Sequence, residues 1–262
     1  MASSPTIDLS PKGKPGSSES CANLLCVGFG LRSLSVATAL ADSDPTVRVS
    51  FHERRQAFSW EAANVLSDNK IRTPFLRDLV TTRDPRSRFT FINYLYSTNQ
   101  LVAYTNASAL NPSKLVMSQY LAWVAQQIEA LGWVSYGEEV VRIEPVRDQT
   151  AKKISSFAVT LKTVATGERS TMTAKRVIVS TGCSVRIPQP LSGPELAPHV
   201  LHARSCSQLL AHHDVSLPDV AIVGASQEGA ELYEHLNRKS GNHRATFFIE
   251  DSALRPDDDT PL

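Results

Sequence analysis

Two glycine-rich turns, each preceded by a short apolar run, constrain the fold of this chain more than any other feature. The first lies at residues 23–30 and the second at residues 220–229. Residues that suit a helix follow each turn, and a second run of strand type follows each helix, at 47–53 and 245–250. Strand, glycine turn, helix and strand in this order are typical of βαβ units that bind dinucleotides. The sequence therefore predicts an α/β fold with two Rossmann-like domains.

The first turn has the residue types that a dinucleotide site requires. Gly28 permits a tight turn, Gly30 lets a pyrophosphate approach the backbone, and the helix beyond offers free N–H groups. Ser33 replaces the usual third glycine and is small enough for close packing of helix on strand. Glu53 ends the next strand, about 20 to 25 residues past the glycines, where its carboxylate can accept hydrogen bonds from the ribose of FAD or NAD. These residues predict a dinucleotide site.

The second turn departs from the pattern. Gly224 is kept, but Ser226 and Gly229 hold the second and third positions. Glu228 places a negative charge where a helix N-terminus receives phosphate, and it would repel a bound pyrophosphate. Glu250, at the end of the following strand, suits a free ribose hydroxyl and opposes the 2′-phosphate of NADP. We therefore expect weakened binding of a second dinucleotide, with NADPH disfavoured.

Composition and charge narrow the class of partner. The formal net charge is +1, so the chain carries no broad electrostatic footprint for nucleic acid or an anionic membrane. No apolar run reaches the roughly 20 residues of a bilayer span, and the N-terminus lacks the apolar core of a secretory signal. The four cysteines have neither CxxC spacing nor a neighbouring histidine cluster. These observations favour a cytoplasmic protein with small-molecule partners, reduced thiols and no metal.

Three regions are expected along the chain. Residues 1–20, rich in Ser, Pro, Gly and Lys, predict a disordered tail. Residues 21–217 form the first dinucleotide domain, in which the loop-rich stretch 54–113 is a place where a site can be built. Residues 218–262 form a partial second domain, because a complete doubly wound domain needs at least one more βα unit.

Further elements are expected inside the first domain. Residues 113–131 begin with a helix start signal and predict a helix. Its apolar side chains recur at near-helical spacing and are interpreted as core rather than ligand contacts: Leu115, Tyr120, Trp123, Val124 and Ile128. Strands are predicted at 140–143, 156–163 and 170–180, with a hairpin turn at 165–168.

Several longer segments resemble one enzyme family more specifically than any glycine motif does. They are residues 26–34, 75–79, 83–87, 89–95, 135–141 and 251–256, which include Phe75-Leu-Arg-Asp-Leu79 and Arg83-Asp-Pro-Arg-Ser87. On these motifs the chain resembles the L-ornithine N5-monooxygenases of fungal siderophore biosynthesis, over roughly residues 22 to 262.

The resemblance implies an FAD- and NADPH-dependent enzyme that hydroxylates the side-chain amine of L-ornithine. It places Lys70 on the carboxylate of ornithine, Trp60 near the flavin and Val140 near the adenine. It implies no single catalytic residue. The residues implied to contact FAD are Gly28, Phe29, Gly30, Ser33, Glu53, Trp60, Val140, Thr181 and Gly182. Those implied to contact the nicotinamide nucleotide are Gly224, Ser226 and Gln227.

Departures from the family leave other readings open. Glu61 stands where the family has histidine and Arg72 where it has glutamine, while Glu228 and Glu250 replace a serine and an arginine. The family also continues for about as many residues again. Besides an active amine hydroxylase, the chain is therefore interpreted as a shortened, catalytically silent relative that at most binds FAD or a partner chain, or as one piece of a split gene. A homo-oligomer or a pair with a full-length paralogue would cover the open edges of the sheet.

Overall fold

A computed structural model describes residues 22–60, 70–71, 73–148, 153–182, 185–196, 198–203, 219–238 and 245–250. The predicted tail at 1–20, the predicted domain boundary at 217/218, and Glu61 and Arg72 lie outside these residues, so those expectations stay predictions. The chain divides into two compact units. Unit 1 consists of Met1–Ser59, Thr73–Leu110 and Gln119–Gly182, and unit 2 of Trp60–Arg72, Asn111–Ser118 and Cys183–Leu262.

The described strands and helices are numbered in chain order. The strands are β1 (Leu24–Val27), β2 (Val49–Glu53), β3 (Val134–Tyr136), β4 (Glu138–Arg147), β5 (Ile154–Thr163), β6 (Arg169–Ala174), β7 (Val177–Val179), β8 (Val220–Val223) and β9 (Ala245–Phe248). The α-helices are α1 (Leu31–Ser43), α2 (Phe91–Ser97), α3 (Leu101–Asn106), α4 (Lys114–Glu129) and α5 (Gln227–Arg238).

Unit 1 is built on a four-stranded parallel sheet in the order β3-β2-β1-β7. The apolar run predicted as the first strand is β1, and its residues Leu25 and Cys26 are fully buried in the sheet. The helix α1 buries Leu34 and Ala37 together with the small polar residue Ser33. This arrangement confirms the predicted α/β fold and leaves the carboxyl ends of four parallel strands at one edge.

A three-stranded antiparallel sheet, in the order β4-β5-β6, packs against β1. Val159 and Leu161 of β5 form one cluster with Leu25 and Val27 of β1. The hairpin predicted at 165–168 joins β5 to β6, where the Thr163 amide donates to the Glu168 carbonyl at 2.9 Å. The antiparallel sheet and the parallel sheet therefore share one hydrophobic core.

The single strand predicted over 170–180 is wrong, because the structure divides it into β6 and β7. These strands belong to different sheets: β6 pairs with β5, whereas β7 pairs with β1. The chain changes sheet at Lys175 and Arg176, where the Lys175 amide donates to the Ala22 carbonyl and the Arg176 carbonyl accepts from the Leu25 amide. Uninterrupted β-type residues do not reveal a change of hydrogen-bonding partner.

The loop-rich stretch contains two short helices, α2 and α3, that sequence reasoning did not predict. The side chain of Thr90 caps α2 by accepting from the Asn93 amide at 3.2 Å. Asp78 accepts from the Phe91 amide at 2.6 Å, so the loop that precedes α2 also satisfies its first turn.

The helix predicted over 113–131 is α4, and Ser113 caps it through its side-chain oxygen and the Val116 amide, 3.2 Å apart. Tyr120, Val124 and Ile128 are fully buried, as the core interpretation requires. Leu115, in the first turn, is 46% exposed, so its assignment to the core was wrong.

The described part of unit 2 contains the parallel pair β8 and β9 with α5 between them in sequence. Ile222 packs with Leu232 and Leu236 of the helix. The strand, turn, helix and strand predicted at 220–250 are therefore present. In the described part of the chain no helix has the length and apolarity to cross a membrane, and no group of histidine, cysteine or acidic side chains is placed to hold a metal ion.

Candidate functional site

The candidate site of unit 1 lies where its parallel strands end. Gly28 follows β1, Glu53 ends β2, Tyr136 ends β3, and Ser180 follows β7. In an open parallel sheet, ligands bind at the carboxyl ends of the strands, beside the strand at which the winding direction changes. Here that strand is β1, because the chain continues to β2 on one side and returns as β7 on the other.

Gly28 is required by both its backbone conformation and its neighbour. Its φ is +89°, and a Cβ built on it would lie 2.7 Å from the Ser180 carbonyl oxygen. Its amide donates to the His52 carbonyl at 2.8 Å, and the Ser180 amide donates to the Val27 carbonyl at 2.9 Å. The turn is therefore pressed between β2 and β7, and no side chain fits at this position.

Gly30 differs from Gly28 because neither its backbone conformation nor a close neighbour requires glycine. Its backbone is extended, with φ of −99°, and a Cβ on it would meet no atom of the described residues within 4 Å. Gly30 is also the N-cap of α1, whose first turn has no side-chain cap and no acidic residue. The open space beside uncapped helix amides fits a pyrophosphate, which binds helix N-termini through N–H groups and the helix dipole.

Ser33 is small enough to let α1 pack closely on β1, and it also stabilises the turn at Gly28. Its hydroxyl donates to the Gly28 carbonyl at 2.8 Å, and the residue is almost fully buried. A glycine at this position would permit the same close packing without the hydrogen bond. The serine therefore fixes the turn from the helix side.

Glu53 faces the turn from the end of β2 and is buried. Its Oε2 accepts from the Phe29 amide at 2.8 Å, and its Oε1 accepts from the Arg55 amide at 3.0 Å. A carboxylate has about four lone-pair sites, so each oxygen keeps capacity for one more donor. The arrangement fits a ribose diol, which would donate two hydrogen bonds to this carboxylate.

The side chain of Phe29 anchors the turn in a group of four rings. Phe51, Phe58 and Tyr136 each meet it edge to face, with ring centroids 5.4, 5.9 and 6.2 Å away. Next to Glu53, the buried His52 places its Nδ1 2.7 Å from Glu138 Oε2, which ties β2 to β4. The backbone around the turn is thus supported by packing and by a polar contact.

The remaining residues predicted for FAD in unit 1 are placed differently. Thr181 and Gly182 follow β7 at the same edge as Gly28 and are exposed, with Gly182 at φ +78°. Val140 lies on β4 opposite Leu161 and packs on the cluster between the two sheets. Its contact with an adenine stays a prediction.

In unit 2, one side chain of the second glycine turn already binds an amide of the helix that follows. Gly224 has φ +104° and its amide donates to the Phe248 carbonyl at 2.9 Å. The Ser226 hydroxyl accepts from the Gly229 amide at 3.1 Å, so one of the first amides of α5 is already satisfied. Gln227 begins α5, and the exposed Glu228 adds a negative charge in the same turn. This helix start resembles a capped helix more than an open anion site.

Lys70 and Trp60, the other predicted contacts, belong to unit 2. Lys70 is exposed and forms an antiparallel bridge with Ser113, and Trp60 is half-buried. The adjacent Ile71 is held by the Pro112 carbonyl, to which its amide donates at 2.8 Å. The backbone of Lys70 is therefore fixed, and its side chain is exposed.

Two polar contacts were missed by sequence reasoning. Tyr136 of β3 donates its hydroxyl to Glu129 at 2.5 Å beside the candidate site. Lys114 forms an ion pair with Glu231 of α5 inside unit 2, and both side chains are nearly buried. The partners are 7 and 117 residues apart in sequence. No local motif in the sequence marks either pair.

The sheet order, the glycine turn and the acid at the end of β2 define an α/β protein with a Rossmann-like fold. Residues 20–262 match the family model described as L-lysine 6-monooxygenase/L-ornithine 5-monooxygenase. The chain belongs to this family, which confirms the resemblance seen in its sequence motifs.

Curated relatives support the same assignment. An L-ornithine N(5)-monooxygenase of Aspergillus oryzae is 34% identical over 267 residues, which cover 96% of this chain and 52% of that protein. An L-ornithine N(5)-oxygenase of Arthrobotrys oligospora is 35% identical over 248 residues, which cover 92% of this chain and 49% of that protein. The chain spans about half the length of these relatives.

Solved structures give the same fold. The ornithine hydroxylase of Pseudomonas aeruginosa aligns with a TM-score of 0.78 at 30% identity, covering 92% of this chain and 58% of that one. An ornithine N-hydroxylase of Kutzneria sp. 744, solved with reduced FAD, NADP⁺ and L-ornithine, aligns with a TM-score of 0.79 at 28% identity, covering 93% of this chain and 56% of that one. The predicted α/β flavoprotein monooxygenase fold is confirmed.

Proposed function

We propose that the turn after β1 binds FAD and that the chain serves the hydroxylation of an amino-acid side-chain amine, with L-ornithine as the substrate. The observation that carries the proposal is the pair of features at the carboxyl edge of the sheet. Gly30 leaves open space at an uncapped helix N-terminus, and Glu53 presents a carboxylate beside it. The named activities of the relatives supply the substrate class.

The residues of unit 1 fit the pyrophosphate and the adenosine ribose of FAD. The first-turn amides of α1 would hold the pyrophosphate, since they have no side-chain cap. Glu53 would accept from the ribose of the adenosine half, and Thr181 and Gly182 would close the pyrophosphate site from the β7 side. FAD, when bound and reduced, supplies the oxygen-activating chemistry that no protein side chain provides. The protein's part is to bind the cofactor in one orientation and to exclude water.

Lys70 would recognise the amino-acid substrate. An ammonium group attracts a carboxylate, and the bridge between Lys70 and Ser113 fixes the backbone from which the side chain extends. Binding the α-carboxylate leaves the side-chain amine of the substrate free to react. A Lys70→Met variant should therefore raise the KM for ornithine far more than it changes FAD binding.

The second turn favours a nicotinamide nucleotide without a 2′-phosphate, if one binds there. Ser226 already occupies the Gly229 amide. Glu228 is an exposed acidic group in the turn, and Glu250 is a second one, just past the end of β9 at Phe248. Both carboxylates would repel phosphate. We therefore propose that the chain accepts reducing equivalents from NADH in preference to NADPH.

Retention of flavin tests the proposal. The purified chain is incubated with FAD and desalted, and its visible absorbance spectrum is recorded. A stoichiometric yellow protein is expected, and Gly30→Ala should be colourless while remaining folded. Hydroxylated product is then measured with L-ornithine and L-lysine as alternative substrates. Flavin retention without product would favour the catalytically silent relative, and a colourless wild-type chain would contradict the proposed FAD site.

A further inference from the structure

Tyr136 lies at the candidate site although no glycine motif points to it. It ends β3 directly beside Glu53 in the strand register, so both residues reach the same edge of the parallel sheet. Its ring meets Phe29 edge to face at 6.2 Å, with an interplanar angle of 74°. Tyr136 thus contacts the residue between the two glycines from the side opposite β7.

The Tyr136 hydroxyl lies between Glu129 and the segment that follows Glu53. It donates to Glu129 Oε1 at 2.5 Å, and the backbone amide of Phe58 lies near its oxygen. Burial and the nearby carboxylates of Glu129 and Glu53 raise the pKa of Tyr136 well above its ordinary value, so the hydroxyl stays protonated. It therefore acts as a permanent link between the end of α4 and the segment 54–58.

A second contact fixes the same segment from the same strand. The Gly137 amide donates to the Arg55 carbonyl at 2.9 Å, and Gly137 has φ +71°. The Arg55 amide in turn donates to Glu53 Oε1 at 3.0 Å. The backbone that follows Glu53 is therefore held at Arg55 by Gly137 and at Phe58 by Tyr136.

We propose that Tyr136, oriented by Glu129, is a positioning residue for the adenosine half of the dinucleotide site. The inference rests on the proposed FAD site. Both amides that orient the Glu53 carboxylate, those of Phe29 and Arg55, belong to backbone that Tyr136 and Gly137 support. Removing the hydroxyl frees Phe58 and loosens the segment, so Glu53 loses its fixed orientation toward a ribose.

The test compares two tyrosines that each donate a hydroxyl hydrogen bond but lie in different places. Tyr136→Phe removes the hydroxyl that donates to the Glu129 carboxylate. Tyr120→Phe removes a hydroxyl away from the candidate site, which donates to the Phe89 carbonyl at 2.9 Å and accepts from the Leu79 amide at 3.4 Å. Both variants keep their rings and both lose stability, but only the first is expected to weaken binding of FAD and of ADP, each by about tenfold. ADP carries the adenosine and the pyrophosphate of FAD without the riboflavin.

The acceptor is tested by a conservative pair. Glu129→Gln keeps an oxygen that accepts from Tyr136 and should retain most of the FAD and ADP affinity. Glu129→Leu removes the acceptor and should resemble Tyr136→Phe. A purely structural contribution would instead follow the stability of each variant and not its hydrogen-bonding capacity.

Hydrogen exchange of the amides in 54–60, measured without nucleotide, separates this inference from the proposed function. Faster exchange in Tyr136→Phe than in Tyr120→Phe is expected whether or not FAD binds. The role of Tyr136 would be overturned if Tyr136→Phe and Tyr120→Phe showed the same exchange rates. It would also be overturned if the two variants bound FAD with the same affinity and ADP with the same affinity. A wild-type chain that binds neither FAD nor ADP would overturn the proposed FAD site, and with it the role of Tyr136 in adenosine binding. The exchange result would still decide whether Tyr136 holds the segment 54–58.

Discussion

The Oε2 atom of Glu53 lies 2.8 Å from the backbone amide of Phe29, so the acid that ends β2 holds the glycine turn that follows β1. A Glu53→Gln variant has one acceptor for two amide donors, because the Arg55 amide also requires one. We expect FAD affinity to fall about tenfold and the free energy of unfolding to fall by about 1–2 kcal/mol. Fluorescence titration with FAD and urea unfolding measure the two effects. Glu144→Gln, on the exposed part of β4, is the control, and equal affinities of the two variants would contradict the role of Glu53.

The two glycines of the first turn should separate folding from binding. Gly28→Ala forces a Cβ to within 2.7 Å of the Ser180 carbonyl at φ +89°, so the free energy of unfolding should fall by about 2 kcal/mol or more. Gly30→Ala places its Cβ in open space at a negative φ, so the apo protein should keep its melting temperature. FAD binding should be lost in Gly30→Ala because the methyl group occupies the pyrophosphate space. Unimpaired FAD binding by Gly30→Ala would place the cofactor elsewhere.

Ser108 has a left-handed backbone, with φ +49°, that a serine adopts at a cost. Ser108→Gly should raise the free energy of unfolding by about 0.5–1 kcal/mol, since its amide keeps the bond to the Thr105 carbonyl at 3.0 Å. Asn99, at φ +57°, is the matched position, and Asn99→Gly should change stability less because asparagine tolerates this conformation. Urea unfolding of both variants decides the comparison. A larger gain at Asn99 would contradict the explanation.

Nucleotide preference at the second turn should respond to charge. The double variant Glu228→Ser with Glu250→Arg removes two acidic groups and adds one base, so NADP⁺ affinity should rise about tenfold or more relative to NAD⁺. Calorimetric titration with each nucleotide measures the ratio. Glu234→Ser, further along α5 where the residue pairs with Arg238, is the control. An unchanged ratio in the double variant would show that this turn does not receive the nucleotide.

Stability at alkaline pH should depend on Cys26. Burial raises the pKa of its thiol from 9.0 to about 12. The folded state therefore holds a proton that the unfolded state releases, so the contribution is complete below pH 9 and is lost as the pH rises toward 12. Between pH 9 and 10 the slope should be up to about 1.4 kcal/mol per pH unit, in reducing buffer. Urea unfolding of Cys26→Ala over the same range should show a shallower slope, and an identical slope would exclude the thiol as its cause.

Sequence reasoning identified the elements whose signal is local. The turn at Gly28 and the acid at Glu53 follow a spacing that the chemistry of dinucleotide binding imposes, and the structure brings them together. The division between β6 and β7 and the strand β3 depend on pairing with residues far along the chain, which no local pattern encodes. For the same reason the link from Tyr136 to Glu129 was missed: the sequence does not show that Tyr136 ends a strand of the parallel sheet, and only that position brings it beside Glu129.

The pairing of β1 with β7 has a consequence for synthesis of the chain. Val27 pairs with Val179, so β1 leaves the ribosome roughly 150 residues before the strand that covers its other edge. At about 5–20 residues per second, that edge stays open for on the order of ten seconds or more. An exposed strand edge is a template for pairing with another chain. The turn at Gly28 lies against Ser180, so it takes its final shape only after β7 has been synthesised and has paired with β1.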